Sequence, residues 1–136
     1  MLKIEHLGLA VSDLQQAIPL WEGLLQTPCY KTEAVEREGV ETAFFQIGDS
    51  KIELLQGTRD DSPVSKFIQK KGEGFHHVAF AVQNIEAEVR RLQALGFEVI
   101  GDGTPKPGAD NKLVVFLHPK TAGGVLVELC QERPAG

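Results

Sequence analysis

The sequence has only two cysteines and no long apolar run. Cys29 and Cys130 lack the spacing of metal-binding cysteine motifs, so we expect free thiols in a reducing compartment. No apolar stretch reaches the roughly 20 residues that a membrane-spanning helix needs. The N-terminus lacks the apolar segment of a secretory signal peptide. The sequence therefore predicts a cytoplasmic protein with no membrane partner.

The chain also lacks an excess of basic residues. It has 14 lysines and arginines against 19 acidic residues, a net charge of −5, which argues against a nucleic-acid-binding function. The net charge does not exclude an anionic small ligand, because lysines can cluster locally. The length of 136 residues and the apolar content of 42% are typical of one globular domain.

A repeated pattern organises the chain. Ile4–Val11 and Phe75–Val82 both contain a histidine four residues before an Ala-Val pair, at His6 and at His77. In both halves the hydrophobic periodicity predicts a strand, a helix and three further strands. We therefore predict an α+β protein with two tandem βαβββ modules. The predicted bounds are about 1–58 for module one, 59–72 for a connector helix and 73–131 for module two, within one domain of residues 1–136.

Local signals predict several element boundaries. Ser12 stands three residues before Gln15, which is the spacing of a capping box, so Ser12 is expected to cap the first helix. Phe97–Ile100 is expected to be a strand, residues 101–111 a Gly/Pro-rich loop, and the polar residues from Glu132 onward a frayed tail.

Two glutamates interrupt apolar strands. Glu53 and Glu128 each lie inside the predicted last strand of a module, and no lysine or arginine is expected on the same strand face. A buried carboxylate must be paired, protonated or bound to a cation, because an isolated buried charge is very costly. A glutamate that faces water from an edge strand is the alternative interpretation.

The repeat places one histidine and one glutamate in each module. Two imidazoles and two carboxylates suit a divalent ion such as Zn²⁺, Co²⁺, Mn²⁺, Ni²⁺ or Fe²⁺. We therefore predict one metal site made of His6, Glu53, His77 and Glu128, although a single strand histidine is more often structural. His76 should point to the opposite strand face from His77 and contribute to packing.

Four stretches carry a family resemblance: 4–11, 61–67, 72–80 and 116–129. In these stretches the chain resembles the methylmalonyl-CoA epimerase family of the vicinal oxygen chelate superfamily. The resemblance implies a curved, half-open mixed sheet around a metal-binding cleft. It also implies the same four metal ligands, with Co²⁺ favoured, and a homodimer.

The resemblance further implies an enzyme that interconverts (R)- and (S)-methylmalonyl-CoA. A proton α to the thioester would be removed through a metal-chelated enolate, with Glu128 and Glu53 as candidate bases. Some epimerases carry a further glutamate where this chain has Thr42, so the identity of the second base stays open; Glu41 is adjacent but should point to the other face. Lys112, Lys120 and Asn111 would contact the phosphates of the acyl-CoA substrate.

Two alternatives remain. A lactoylglutathione lyase-like isomerase would have a similar metal site, whereas the Asp61-Ser62-Pro63 and His118-Pro119-Lys120 segments favour the epimerase. A metal-free ligand-binding protein of the bleomycin-resistance type would carry apolar residues at the ligand positions, which the four intact ligands argue against.

Overall fold

The computed structural model describes residues 1–133. The chain divides into two compact units. The first, His6–His76, is called the N-terminal unit below. The second combines Met1–Glu5 with the chain from His77 onward and is called the C-terminal unit.

The N-terminal unit is a mixed sheet with two helices. Its strands have the order β2-β3-β4-β1, with β1 and β4 parallel and the other neighbours antiparallel. The first residues of β1 belong to the C-terminal unit. The elements are β1 Lys3–Ala10, α1 Leu14–Leu25, β2 Lys31–Val35, β3 Val40–Ile47, β4 Ser50–Gly57 and α2 Pro63–Lys71.

The C-terminal unit repeats this arrangement. Its strands have the order β5-β8-β7-β6, with β5 and β8 parallel and the other neighbours antiparallel. The elements are β5 Gly74–Ala81, α3 Ile85–Ala94, β6 Lys106–Gly108, β7 Lys112–Leu117 and β8 Val127–Glu132. The first three residues of β5 belong to the N-terminal unit. The prediction of an α+β fold with two βαβββ modules is confirmed. Within residues 1–133, no helix is long and apolar enough to cross a membrane.

The helix of each module determines which strand face is available for chemistry. In the N-terminal unit Leu14 and Ala17 of α1 pack in one cluster with Phe45 of β3 and Leu54 of β4. Neighbouring residues of a strand point to opposite faces, so Glu53 lies on the face away from α1.

The same alternation operates in the C-terminal unit. Val89 and Leu92 of α3 pack with Val115 of β7 and Leu129 of β8. Glu128 is therefore placed on the sheet face away from α3. Covering one face with a helix leaves a glutamate on the other face in both units.

The N-cap of α1 is Asp13 and not Ser12, so this prediction from the sequence is wrong. The Asp13 side chain accepts a hydrogen bond from the Gln15 N–H at 2.9 Å. Ser12 instead donates its own backbone N–H to Glu73 Oε2 at 2.8 Å. Aspartate and serine are equally good caps, so the sequence alone did not distinguish them.

The second strand of the C-terminal module lies later than predicted. Residues 97–100 form only an isolated bridge, between Val99 and Leu117, whereas β6 lies inside the expected loop. Pro107 is tolerated there because β6 is the last strand in the sheet order of this unit.

The prediction of a frayed tail from Glu132 onward is also partly wrong. Glu132 is the last residue of β8, and the Arg133 N–H donates to the Asn111 carbonyl at 3.2 Å. The rest of that predicted tail, residues 134–136, lies outside the described residues.

Candidate metal and catalytic site

In the N-terminal unit, His6 and Glu53 form a buried pair. They are 5% and 4% exposed, and His6 Nδ1 lies 3.2 Å from Glu53 Oε2. The parallel register of β1 and β4 places Gly8 beside Glu53, so both side chains of the pair project from neighbouring strands on one sheet face.

In the C-terminal unit, His77 and Glu128 form the equivalent pair. Both are buried, and His77 Nε2 lies 2.9 Å from Glu128 Oε1. The Phe116 ring meets the His77 ring edge to face, with centroids 5.9 Å apart, and Phe116 is the register partner of Glu128. This ring limits the movement of the imidazole on the side of β7.

The two pairs share their strand context. Phe44 is the register partner of Glu53 in the β3–β4 ladder, as Phe116 is of Glu128. Neither glutamate faces water, so the solvent-exposed interpretation is wrong for both. The repeat in the sequence is thus also a repeat of two buried imidazole–carboxylate pairs.

Each pair has the chemistry and spacing of two ligands of one metal ion. Imidazole nitrogen and carboxylate oxygen are ligands that borderline divalent ions prefer. Two such atoms bound about 2.1 Å from an ion at a right angle lie about 3 Å apart. The observed separations of 3.2 Å and 2.9 Å match that requirement. The donor set of both pairs therefore fits a divalent ion.

The site face also carries a lysine that the sequence interpretation missed. Lys51 is 8% exposed and lies two residues before Glu53 on β4, so it shares the face of Glu53. Its register partner is His6, and its Nζ lies 5.9 Å from the centroid of the Phe44 ring. The expectation that no basic residue shares this face is wrong. The Lys51-Ile52-Glu53 spacing was the signal that could have found it.

Comparisons with known proteins show the family to which the chain belongs. The family model of the Glyoxalase/Bleomycin resistance protein/Dioxygenase superfamily matches residues 5–116. The ethylmalonyl-CoA/methylmalonyl-CoA epimerase of Cereibacter sphaeroides is 37% identical over 95% of this chain and 97% of its own. The mouse mitochondrial methylmalonyl-CoA epimerase is 39% identical over 95% of this chain and 72% of its own. The chain belongs to the methylmalonyl-CoA epimerase family of this superfamily.

A solved structure extends the similarity to the backbone. A variant of Streptomyces coelicolor methylmalonyl-CoA epimerase, in complex with 2-nitronate-propionyl-CoA, superposes with a TM-score of 0.94 at 33% identity. The match covers 99% of this chain and 97% of that one. The family resemblance stated from the sequence is confirmed.

Thr42, the residue predicted to stand where some epimerases carry a glutamate, lies on β3. It is 1% exposed, and its register partner is Leu55 of β4. Glu41, next to it, points to the opposite face of β3 and is only half-buried. Neither residue of β3 therefore offers a carboxylate on the face that carries Glu53.

The predicted phosphate-binding lysines lie at opposite ends of β7. Lys112 begins the strand, and its Nζ lies 3.3 Å from Oε1 of the exposed Glu132. Lys120 follows the strand, and its Nζ lies 3.3 Å from Glu98 Oε2. Asn111 precedes Lys112 and has a left-handed backbone, with φ of 57°. Lys112 and Asn111 are therefore neighbours, whereas Lys120 is not beside them.

The remaining histidines have local structural roles. His76 packs its ring edge to face on Phe67, with centroids 4.9 Å apart. His118 follows β7, and its Nδ1 accepts the Lys120 N–H at 3.1 Å, so it stabilises the turn after the strand.

Proposed function

We propose that this chain epimerises methylmalonyl-CoA at C2 and so interconverts its (R)- and (S)-forms. The observation that carries the proposal is the buried imidazole–carboxylate pair present once in each unit. Membership of the methylmalonyl-CoA epimerase family supports the choice of substrate.

The four residues of the two pairs, His6, Glu53, His77 and Glu128, are proposed to hold one divalent ion together. All four are buried and offer nitrogen or oxygen donors, which supports this assignment. The resemblance to the epimerase family, and not the donor set itself, favours Co²⁺ over Zn²⁺, Mn²⁺, Ni²⁺ and Fe²⁺. When bound, the ion would act as a Lewis acid that stabilises negative charge developing on the thioester oxygen.

Glu128 is proposed to remove the C2 proton. Glu53 is proposed to be the acid–base group on the opposite face of that carbon. Epimerisation removes a proton on one face and returns one on the other, so two acid–base groups are needed. The repeat supplies one carboxylate in each module. His77 keeps one Glu128 oxygen in a defined position, which a proton-transfer group requires.

The substrate preference has a direct test. Purified protein loaded with Co²⁺ should epimerise methylmalonyl-CoA and should not convert the hemithioacetal of methylglyoxal and glutathione. Chiral analysis of the CoA ester and absorbance of the thioester product measure the two reactions. Turnover of the hemithioacetal alone would identify a lactoylglutathione lyase-like isomerase and would reject the epimerase proposal.

Lys112, Lys120 and Asn111 are proposed to contact the phosphates of the CoA moiety. The Lys112 side chain is only 12% exposed, but its partner Glu132 is 86% exposed, so a phosphate can replace this glutamate at small cost. The Lys120–Glu98 pair is exposed on both sides, at 61% and 50%. The amide of Asn111 lies next to Lys112 and adds a neutral donor.

Lys112→Ala is expected to raise the KM for methylmalonyl-CoA about 10–150-fold, because a charge-assisted phosphate contact contributes about 1.5–3 kcal/mol. The kcat should stay close to that of the wild type. Lys70→Ala, on the exposed end of α2, is the matched control and should leave KM unchanged. Equal KM values for all three proteins would contradict the assignment of Lys112.

A homodimer, a cytoplasmic location and the absence of a nucleic-acid partner stay predictions. Light scattering of the purified protein tests the first of these, since the chain mass is 14.9 kDa.

A further inference from the structure

Cys130 is a buried thiol in contact with the proposed catalytic carboxylate. It is 2% exposed and lies two residues after Glu128 on β8, on the same strand face. Its Sγ–H donates to Glu128 Oε2 at 3.3 Å. The other carboxylate oxygen, Oε1, lies 2.9 Å from His77 Nε2. The two oxygens of Glu128 thus have different partners.

The N-terminal unit has a different residue at the matching position. Leu55 is the register partner of Ala10 in the β1–β4 ladder, as Cys130 is of Ala81 in the β5–β8 ladder. Leu55 packs with Val64 of α2 in an apolar cluster and has no side-chain hydrogen-bond donor. The repeat therefore supplies a thiol beside Glu128 and a hydrocarbon side chain at the equivalent position beside Glu53.

The surroundings of the two residues differ in the same way. Cys130 lines a cavity of about 360 Å³ within the C-terminal unit, together with Lys112 and Ala81. Cys130 also packs in one cluster with Ala79 and Val114.

We propose that Cys130 is a positioning residue for Glu128. Its S–H holds Oε2, which restricts rotation of the carboxylate and keeps Oε1 directed at His77. Partners of this kind orient the groups that bind a metal, and their loss typically lowers metal affinity or activity by about 10–100-fold. The inference rests on the proposed function. It makes the two glutamates unequal, because the Cys130 thiol orients Glu128, whereas Leu55, at the matching position beside Glu53, has no side-chain donor.

Co²⁺ affinity of the metal-free protein tests this role without an activity assay. Visible absorption during Co²⁺ titration should show about tenfold weaker binding for Cys130→Ala, at the lower end of the usual effect because a thiol is a weak donor. Cys130→Ser keeps a donor and should recover most of the affinity. Cys130→Val fills the space of the thiol without a donor and should behave like Cys130→Ala.

Cys29→Ala is the matched control, because the Cys29 thiol donates to the Lys31 carbonyl in the other unit. Its Co²⁺ affinity should equal that of the wild type. For Cys130→Ala and Cys130→Val, the kcat of C2 proton exchange should fall while the KM for methylmalonyl-CoA stays unchanged, since the thiol acts through Glu128.

The inference would be overturned if Cys130→Ala and Cys130→Val kept the Co²⁺ affinity and the kcat of the wild type. It would also be overturned if Cys130→Ser were as impaired as Cys130→Ala. A wild-type protein that binds Co²⁺ but does not exchange the C2 proton would reject the proposed function, and the Co²⁺ titration would still decide the role of Cys130. A wild type that binds no Co²⁺ would overturn this inference together with the metal site.

Discussion

Glu128→Gln is expected to lower the rate of deuterium exchange at C2 of methylmalonyl-CoA by about 10²–10⁴-fold, the usual contribution of a general base. The amide keeps the size of the side chain and can still bind an ion through its oxygen, but it cannot accept the proton. Exchange in D₂O, followed by proton NMR or mass spectrometry of the CoA ester, measures the loss. Metal content of the variant, measured in parallel, separates loss of the base from loss of the ion.

Two further variants make this result specific. Glu53→Gln should lose less activity, because the amide oxygen can still bind the ion and Glu128 remains to remove the C2 proton. Glu86→Gln changes an exposed glutamate in the first turn of α3 and should exchange at the wild-type rate. Undiminished exchange in Glu128→Gln would show that another group removes the proton.

Removal of divalent metal by a chelator is expected to abolish exchange and to lower the melting temperature. An ion that binds only the folded state stabilises it by about 2.7 kcal/mol when present at 100 times its dissociation constant. Without the ion, two buried carboxylates lose the charge that would offset their desolvation. Calorimetry and the exchange assay, repeated after addition of Co²⁺, should show that both properties recover.

Adjacent histidines provide the control for the metal assignment. His77→Ala should prevent recovery by Co²⁺, whereas His76→Ala should permit it, because His76 packs on Phe67 instead. Unchanged exchange and melting temperature after chelation would contradict the metal site. A purified protein that binds no divalent ion and gains no exchange activity on addition of Co²⁺ would instead support the metal-free, ligand-binding alternative.

The module order and the four proposed ligands could be predicted because they depend on local periodicity. Strand alternation separates His77 from His76, and a single glutamate inside an apolar run marks Glu53 and Glu128. The sequence also contains the signals that bound α2 within the predicted connector, since Ser62 caps the helix before Pro63 and Gly72 follows its last residue.

Features that depend on side-chain conformation or on cross-strand register could not be predicted from local periodicity. The contact of Cys130 with Glu128 needs side-chain conformations that spacing does not specify. β6 has only three residues, and it exists because Lys106–Gly108 pairs with β7, which local propensity does not reveal. The burial of Lys51 likewise depends on neighbouring strands, because lysine by itself favours water.

The most direct test of the central claim is deuterium incorporation at C2 of methylmalonyl-CoA by the wild-type protein loaded with Co²⁺. We predict that either single epimer becomes a mixture of both in D₂O, with deuterium at C2 in the product. A folded, Co²⁺-loaded protein that leaves a single epimer unlabelled and unchanged would contradict the account.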